Sequence, residues 1–446
     1  MSKESNLDEY NNWVNELYPG QDEYLQATKE LAGDVITIYN AHADYKKWNV
    51  LRRLSVPDRI IHFSVCWMND EGEIEINKAW RVQHSNLIGP YKGGLRFHPT
   101  VNESVLKFLA FEQIFKNALT ALPIGGAKGG ADFNPKGRSD NEIMRFCQAF
   151  MNELHRHIGP HTDVPAGDIN VGNREIGFLY GEYRRINNRF GGALTGKDVS
   201  FGGSHVRREA TGFGLIYMLQ CVLEAENQSL AGKTVIVSGA GNVAMHAALK
   251  AAENGAKVIS LSNSRGCLYL EKGLTEKHIR WAIDNKHNHD NILVALKKEC
   301  GGDWQAGSTP WGLNADIALP CATQNELGGK DAKTLLDNGC QFVLEGANMP
   351  CTADAVSAFH DAKIPYVSGK ASNAGGVALS GLEMSQNASF RPSSYQSLNE
   401  ALKEIMKNIH RQCLEEGKAD GWVNYARGAN IAAFRRLADA MILQGI

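Results

Sequence analysis

Residues 234–261 read TVIVSGAGNVAMHAALKAAENGAKVISL, and the succession of elements in this stretch decides the fold. Thr234–Ser238 is a short β-branched strand. Gly239-Ala240-Gly241-Asn242-Val243-Ala244 turns it into a helix that runs to Asn254. Gly255 ends the helix, and Lys257–Leu261 supplies the next strand. Strand, helix and strand in this order make a βαβ unit, the building block of a parallel sheet. Its first turn carries G-x-G-x-x-A. Glycines there let the backbone approach a pyrophosphate, and the helix N-terminus offers free N–H groups and the positive end of a dipole. In register with both strands, the pattern signals a dinucleotide site rather than a plain α/β turn.

The second strand ends in Ser262-Asn263-Ser264-Arg265. A site for NAD places an acid here to hold both ribose hydroxyls. Hydroxyls and an arginine suit a 2′-phosphate better, so Ser262, Ser264 and Arg265 point to NADP. Further strands end in loops of small polar residues: Asp316–Leu319 before Pro320–Asn325, Phe342–Leu344 before Glu345–Asn348, and Pro365–Val367 before Ser368-Gly369. Such loops are expected where a cofactor lies across the carboxyl ends of a parallel sheet. Asn373–Gly381 is a glycine-rich, polar-tipped loop, and residues 396–446 read as closing helices. The glycines at 191, 192, 196, 202 and 203 mark a domain boundary near residue 200.

A chain of 446 residues has room for two or three domains. Lysine plus arginine (47) nearly balances aspartate plus glutamate (49), without a basic arm or tail, so neither nucleic acid nor a membrane is an expected partner. The start, MSKESNLDEYNNW, lacks the layout of a signal peptide. No apolar run approaches the ~20 residues that span a bilayer. Nine scattered cysteines without a CxxC pair suit a reducing compartment, and the cytoplasm is the expected location.

Ahead of the boundary, residues 8–50 read as two or three helices. Ile61, Phe63, Val65 and Trp67, then Ile74, Ile76, Trp80 and Val82, alternate with less apolar neighbours on either side of Asn69–Gly72. This predicts a β-hairpin with one buried face. Residues 102–119 predict a well-buried helix on which Gln113 and Lys116 share a face. Ser139-x-x-Glu142 is a capping box that opens another helix. His155, His157, His161 and Asp163 match no zinc spacing and read as a solvated helix end, so no metal is expected.

Three stretches, read as loops, carry the chemistry: the glycine-rich Gly89–Pro99 with Lys92 and Gly125–Gly130 with Lys128, and Asp163–Asn170 with Asp168 just past Gly167. A lysine in a tight, partly dried loop loses some of its charge solvation, so its pKa falls from ~10.4 towards neutrality. It can then exchange protons with a substrate, and a nearby carboxylate can do the same. Lys92, Lys116 and Lys128 together call for an anionic ligand, and a dicarboxylate meets that need. Combined with the dinucleotide site, this predicts hydride transfer to or from a small dianionic acid.

PYKGGLRFHP, the FEQIFKNAL helix, GGAKGG, VPAGDIN, GAGNVA, LPCATQNEL, EGANMP and NAGGVALSGLEMSQN together resemble the glutamate dehydrogenases, close to the NADP-specific bacterial type, from about residue 10 onward. The resemblance implies an α/β protein of two domains separated by a cleft. Residues 1–200 would form the substrate-binding and oligomerisation domain, and 201–420 the Rossmann-type NADP-binding domain. Helices from about 421 to 446 would pack back on the first. It implies a homohexamer that interconverts L-glutamate with 2-oxoglutarate and ammonium, mainly by reductive amination in ammonia assimilation. Lys128 would be the catalytic lysine and Asp168 the proton carrier. Lys116 and Gln113 resemble binders of the α-carboxylate, and Lys92 and Ser380 binders of the γ-carboxylate. Gly167 and Arg207 would line the substrate. Thr211, Gly239, Gly241, Asn242 and Val243 would contact the cofactor, with Asn348 near the nicotinamide.

Two other readings compete with this one. A leucine- or phenylalanine-type amino-acid dehydrogenase shares the GGxKGG stretch, and the charge of Lys92 with the hydroxyl of Ser380 argues against it. A dinucleotide-sensing protein without turnover should lack Lys128 or Asp168.

Overall fold

In the computed structural model, which describes residues 3–419 and 421–445, the expected hairpin forms from β1 (Arg59–Met68) and β2 (Ile74–Ser85). Met1, Ser2, Asp420 and Ile446, inside the expected domain limits, lie outside the described residues. Gly72 closes the hairpin turn at φ +82°, its N–H donating to the Asn69 carbonyl. Val65 and Trp67 are buried as the alternation requires, but Ile74 and Ile76 are 72% and 69% exposed. Register explains the difference. Ile74 sits opposite Met68 and Ile76 opposite Cys66, on the face away from Trp67. Farther along β2, Trp80 and Val82 on that face are covered by Val101, Leu106 and Ala110.

Three more strands complete a five-stranded sheet of order β1-β2-β4-β3-β5: β3 (Tyr91–Phe97), β4 (Gly126–Ala131) and β5 (Asp163–Gly167). β3 is parallel to both β4 and β5, while β1, β2 and β4 run antiparallel. The helix Glu103–Leu119 starts where Asn102 accepts the Val105 N–H at 2.9 Å. It lies so close to β4 that a Cβ on Gly126 would come within 2.2 Å of Ile114. Both bonds of the Ser139–Glu142 capping box are made, opening the helix Asp140–Leu154. That helix brings Phe146 and Phe150 against Phe97, Phe133 and Trp67 in an aromatic core.

The chain divides into two units. The first contains Met1–His205, Val377–Leu398 and Asn430–Ile446; the second contains Val206–Gly376 and Asn399–Ala429. The segment Val377–Leu398, placed by the sequence reading in the second domain, belongs to the first. One of the contacts that hold it there is an ion pair that no local pattern reveals: Glu383, on the helix Gly375–Ser389, meets Lys197 at 2.7 Å with both side chains buried. The final return to the first unit begins at Asn430 rather than about residue 421. There Asn430 donates to Asp34, Tyr45 to Asp439, and Arg436 to the carbonyls of Ala121 and Leu122.

The second unit holds a seven-stranded sheet built on the βαβ unit. Its strands are β6 (Thr234–Val237), β7 (Lys257–Asn263), β8 (Gly266–Tyr269), β9 (Asp303–Ala306), β10 (Ile317–Leu319), β11 (Phe342–Leu344) and β12 (Tyr366–Val367). Their order is β12-β11-β10-β6-β7-β8-β9. Pairing is parallel from β12 through β7 and antiparallel across β7, β8 and β9. The chain leaves β6 to one side for β7 and returns on the other for β10. That reversal is the switch point at which open α/β sheets bind ligands.

Candidate active site

The stretch around Lys128, expected as a loop, is strand β4, and all six of its residues are buried. Its glycines serve close packing. A Cβ at Gly129 would lie 2.9 Å from both Arg81 and Leu95, and Gly130 takes φ +157° against the Arg96 carbonyl. Lys92 is likewise on a strand, β3, and only 1% exposed. The two glycines after it let β3 pass between the other site residues. A Cβ on Gly93 would strike the Ala127 carbonyl and touch Gln113, and one on Gly94 would reach the Asp168 Cβ at 2.9 Å. Asp168 directly follows the end of β5. The first unit therefore gathers Lys92, Gln113, Lys128, Gly167 and Asp168, with Lys116 one turn beyond Gln113.

Asp168 is doubly held. Lys128 Nζ lies 2.9 Å from its Oδ1, and Arg96 Nε donates to its Oδ2 at 2.7 Å. Burial alone would raise the Asp168 carboxyl pKa, but the Lys128 and Arg96 charges outweigh it and hold the group well below the usual carboxylate range. Burial pushes the Lys128 ammonium down; the Asp168 charge opposes this, while Arg96 and Arg81 add to it. The result is an ionised carboxylate beside a lysine whose proton is loosened. Sequence reasoning missed Arg96, although its alternation with Leu95 and Phe97 on a strand bearing Lys92 was a usable signal.

Around the α-carboxylate candidates, Gln113 donates to Asn117 at 2.7 Å, and Asn117 donates to the Lys92 carbonyl at 3.2 Å. Ser380 is buried in the first unit, and its neighbour Gly381 abuts Leu122. Thr195, also fully buried, has a hydroxyl without a hydrogen-bond partner among the described residues. Arg207 lies in the second unit, beside Gly376 and Thr211.

In the second unit Gly239 takes φ +93° and donates its N–H to Ser262 Oγ at 3.2 Å. Gly241 caps the helix Asn242–Glu253, and a Cβ there would meet nothing within 4 Å. Open space in front of a helix N-terminus fits a pyrophosphate. Gly212 packs against Val243 and His246, which sets Thr211 beside this turn, and Asn242 donates to the Arg208 carbonyl. Burial depresses the Lys286 pKa, and the neighbouring Arg208 charge lowers it further. Lys286 sits in a short turn far along the chain, where sequence gave no signal for it.

Past β7 the chain makes a hairpin into β8 rather than a loop into a helix. Arg265 at its tip is held by Asp290 through two bonds of 2.5 and 2.9 Å, in an exposed pair. Asn373 donates to Asn348 Oδ1 at 3.0 Å and to the Ala347 carbonyl. Glu345 anchors the same loop, accepting from Tyr366 and from the Gly369 N–H, both at 2.7 Å. Among the described residues, no group of three or more His, Cys, Asp and Glu could hold a metal ion, and no helix is long and apolar enough to cross a membrane.

Residues 202–445 match the family model Glutamate/Leucine/Phenylalanine/Valine dehydrogenase, and residues 57–185 match Glu/Leu/Phe/Val dehydrogenase, dimerisation domain. The NADP-specific glutamate dehydrogenase of Psychrobacter sp. is 51% identical over 97% of this chain and 98% of its own length. The NAD-specific glutamate dehydrogenase of Bacteroides fragilis is 52% identical over 96% and 97%. The crystal structure of Plasmodium falciparum glutamate dehydrogenase superimposes with a TM-score of 0.97 at 46% identity, covering 100% of this chain and 95% of that one.

Proposed function

The chain belongs to the glutamate/leucine/phenylalanine/valine dehydrogenase family, and from that premise we propose that it is a glutamate dehydrogenase using NADP(H). The reaction converts L-glutamate, NADP⁺ and water to 2-oxoglutarate, ammonium, NADPH and a proton, reversibly, and serves mainly in the aminating direction. The observation that carries this reading is the contact between Lys128, on β4, and Asp168, just past the end of β5, the two strands that flank β3 with its buried Lys92.

When bound, the nicotinamide supplies or accepts the hydride. Gly239, Gly241, Asn242 and Val243 would hold the pyrophosphate, Ser262, Ser264 and Arg265 the 2′-phosphate, and Thr211 and Asn348 the nicotinamide end. The absence of an acid after β7, and the Arg208–Lys286 charges beside the fingerprint helix, support a cofactor with an extra phosphate.

Lys116 and Gln113 bind the α-carboxylate, Lys92 and Ser380 the γ-carboxylate, and Gly167 and Arg207 line the substrate. Asp168, ionised at rest, takes a proton from the nitrogen once arriving ammonia has added to the keto carbon, and in the other direction returns one to that nitrogen as it leaves. Lys128 draws a proton from the water that attacks the imine carbon, then polarises the keto oxygen in the reverse direction.

The exposed apolar face of Met68, Ile74 and Ile76 supports a subunit interface, and a homohexamer is the proposed assembly. Nine free thiols support a cytoplasmic location. The test is to follow NADPH absorbance with ammonium and a panel of 2-oxo acids. Turnover should be fastest with 2-oxoglutarate; a preference for an uncharged 2-oxo acid would overturn the reading.

A further inference from the structure

The stretch GLEMSQN at the end of the glycine-rich region has no part in the chemistry so far, beyond following Ser380. The stretch lies on the helix Gly375–Ser389. Ser380, Glu383 and Asn387 fall at spacings of three and four residues, so they line up along one side. Glu383 and Asn387 both grip Lys197. Lys197 Nζ donates to Glu383 Oε1 at 2.7 Å, to Asn387 Oδ1 at 2.8 Å and to the Leu194 carbonyl. These contacts engage all three ammonium donors. The second Glu383 oxygen accepts the Gly196 N–H at 2.9 Å. Asn387 also donates to the Gly202 carbonyl at 2.7 Å, and Gln386 to that of Gly203 at 3.1 Å.

The ion pair is dry, with side-chain exposures of 1% and 0%. A charge pair this buried weakly favours stability over an apolar pair of the same shape, or does not favour it at all, but removing one partner is strongly destabilising. Its better-supported use is to fix one arrangement against others. The clamp joins two pieces of the substrate region. Ser380 is one turn before Glu383. On the other side, the Thr195 N–H donates to the Pro165 carbonyl at 3.0 Å, and Pro165 pairs with Gly93 next to Lys92.

We propose that Lys197 and Glu383 are positioning residues for recognition of the distal carboxylate. Resting on the function proposed above, the pair holds the Ser380 helix at a set distance from β5 and Lys92, and that distance selects the length of the dicarboxylate. Neither residue touches the substrate.

The test compares Glu383→Gln and Asn387→Ala with the parent enzyme on 2-oxoglutarate, the four-carbon oxaloacetate and 2-oxohexanoate, which lacks the distal charge. Glu383→Gln should raise KM for 2-oxoglutarate about tenfold or more, narrow its margin over oxaloacetate, and leave kcat/KM for 2-oxohexanoate within about twofold. Asn387→Ala, which keeps the ion pair, should shift KM the same way by about threefold. It remains informative if Glu383→Gln does not fold. The paired substitution Lys197→Met with Glu383→Leu should restore thermal stability without restoring the preference for 2-oxoglutarate. Equal losses on all three acids, or an unchanged KM for 2-oxoglutarate in Asn387→Ala, would overturn the proposal. A parent enzyme inactive on 2-oxoglutarate would instead overturn the function on which it rests.

Discussion

Arg96 and Lys128 bind opposite oxygens of one carboxylate: Arg96 Nε is 2.7 Å from Asp168 Oδ2, and Lys128 Nζ is 2.9 Å from Oδ1. Two cations on one anion leave the trio with a net positive charge in a buried place. The proton most easily given up is then the lysine's, since arginine holds its own far more tightly. Lys128→Ala and Asp168→Asn should each lower kcat by ~10²–10⁴-fold. NADPH affinity, measured by fluorescence titration, should stay within about threefold of the parent. Loss of both together would indicate misfolding rather than lost chemistry.

Removing the Arg96 charge should move a pH profile. Arg96 pushes the Lys128 pKa down, so Arg96→Gln lets it rise. The unprotonated lysine then becomes scarcer at neutral pH, and the acid limb of kcat/KM for glutamate oxidation shifts to higher pH. An unmoved limb in the variant would remove Arg96 from this role.

Lys92→Leu should separate substrates. A distal carboxylate left facing a hydrocarbon loses its charge partner in a dry site, at a cost on the order of a thousandfold in kcat/KM. 2-Oxohexanoate has no such group and should lose little or gain. Parallel losses for the two acids would show that Lys92 does not read the distal charge.

The exposed Arg265–Asp290 pair makes a smaller prediction about the cofactor. Freed of Asp290, the guanidinium is available to a 2′-phosphate, so Asp290→Asn should lower KM for NADPH. An exposed pair is weak, so the gain should be under about fivefold. Arg265→Ala should raise KM for NADPH, and neither change should alter KM for NADH. Matching shifts for both cofactors would place Arg265 away from the phosphate.

Lys107, on the helix that also carries Gln113 and Lys116, holds its ammonium 3.3 Å from the Tyr18 ring centre and 4.6 Å from that of Tyr24. Burial lowers its pKa to about 8, against ~10.4 in an unfolded chain. Between these two values the unfolded chain keeps a proton that the folded chain has lost, so stability rises with pH across that window. Lys107→Met should therefore raise Tm near pH 7, with the gain shrinking as pH approaches ~10. A gain that is constant with pH would locate the effect in packing.

The βαβ unit, the hairpin and the capping box were legible because each is written in neighbouring residues: glycine offsets, period-two alternation, a serine three places from a glutamate. The strand around Lys128 was not. Glycines lower strand propensity, and only packing against Ile114, Arg81 and Leu95 shows that a residue with a side chain could not pass there. Partners far apart in sequence were equally hidden. Asp168 and Arg96 are 72 positions apart, and Lys197 and Glu383 are 186. The motif around Ser380 could be read, yet its membership in the first unit rests on long-range contacts of this kind.

The order of segments also has a consequence for synthesis. The first unit is interrupted by residues 206–376 and again by 399–429. A ribosome that has made the whole βαβ region has still not made Glu383, Asp439 or Arg436, so Lys197, Tyr45 and the Ala121 and Leu122 carbonyls wait for them. The dinucleotide sheet can therefore assemble during translation, while the lysine-bearing sheet reaches its final packing only after the last helix emerges. Chains cut short within that helix should be degraded as incompletely folded rather than accumulate as half-active enzyme.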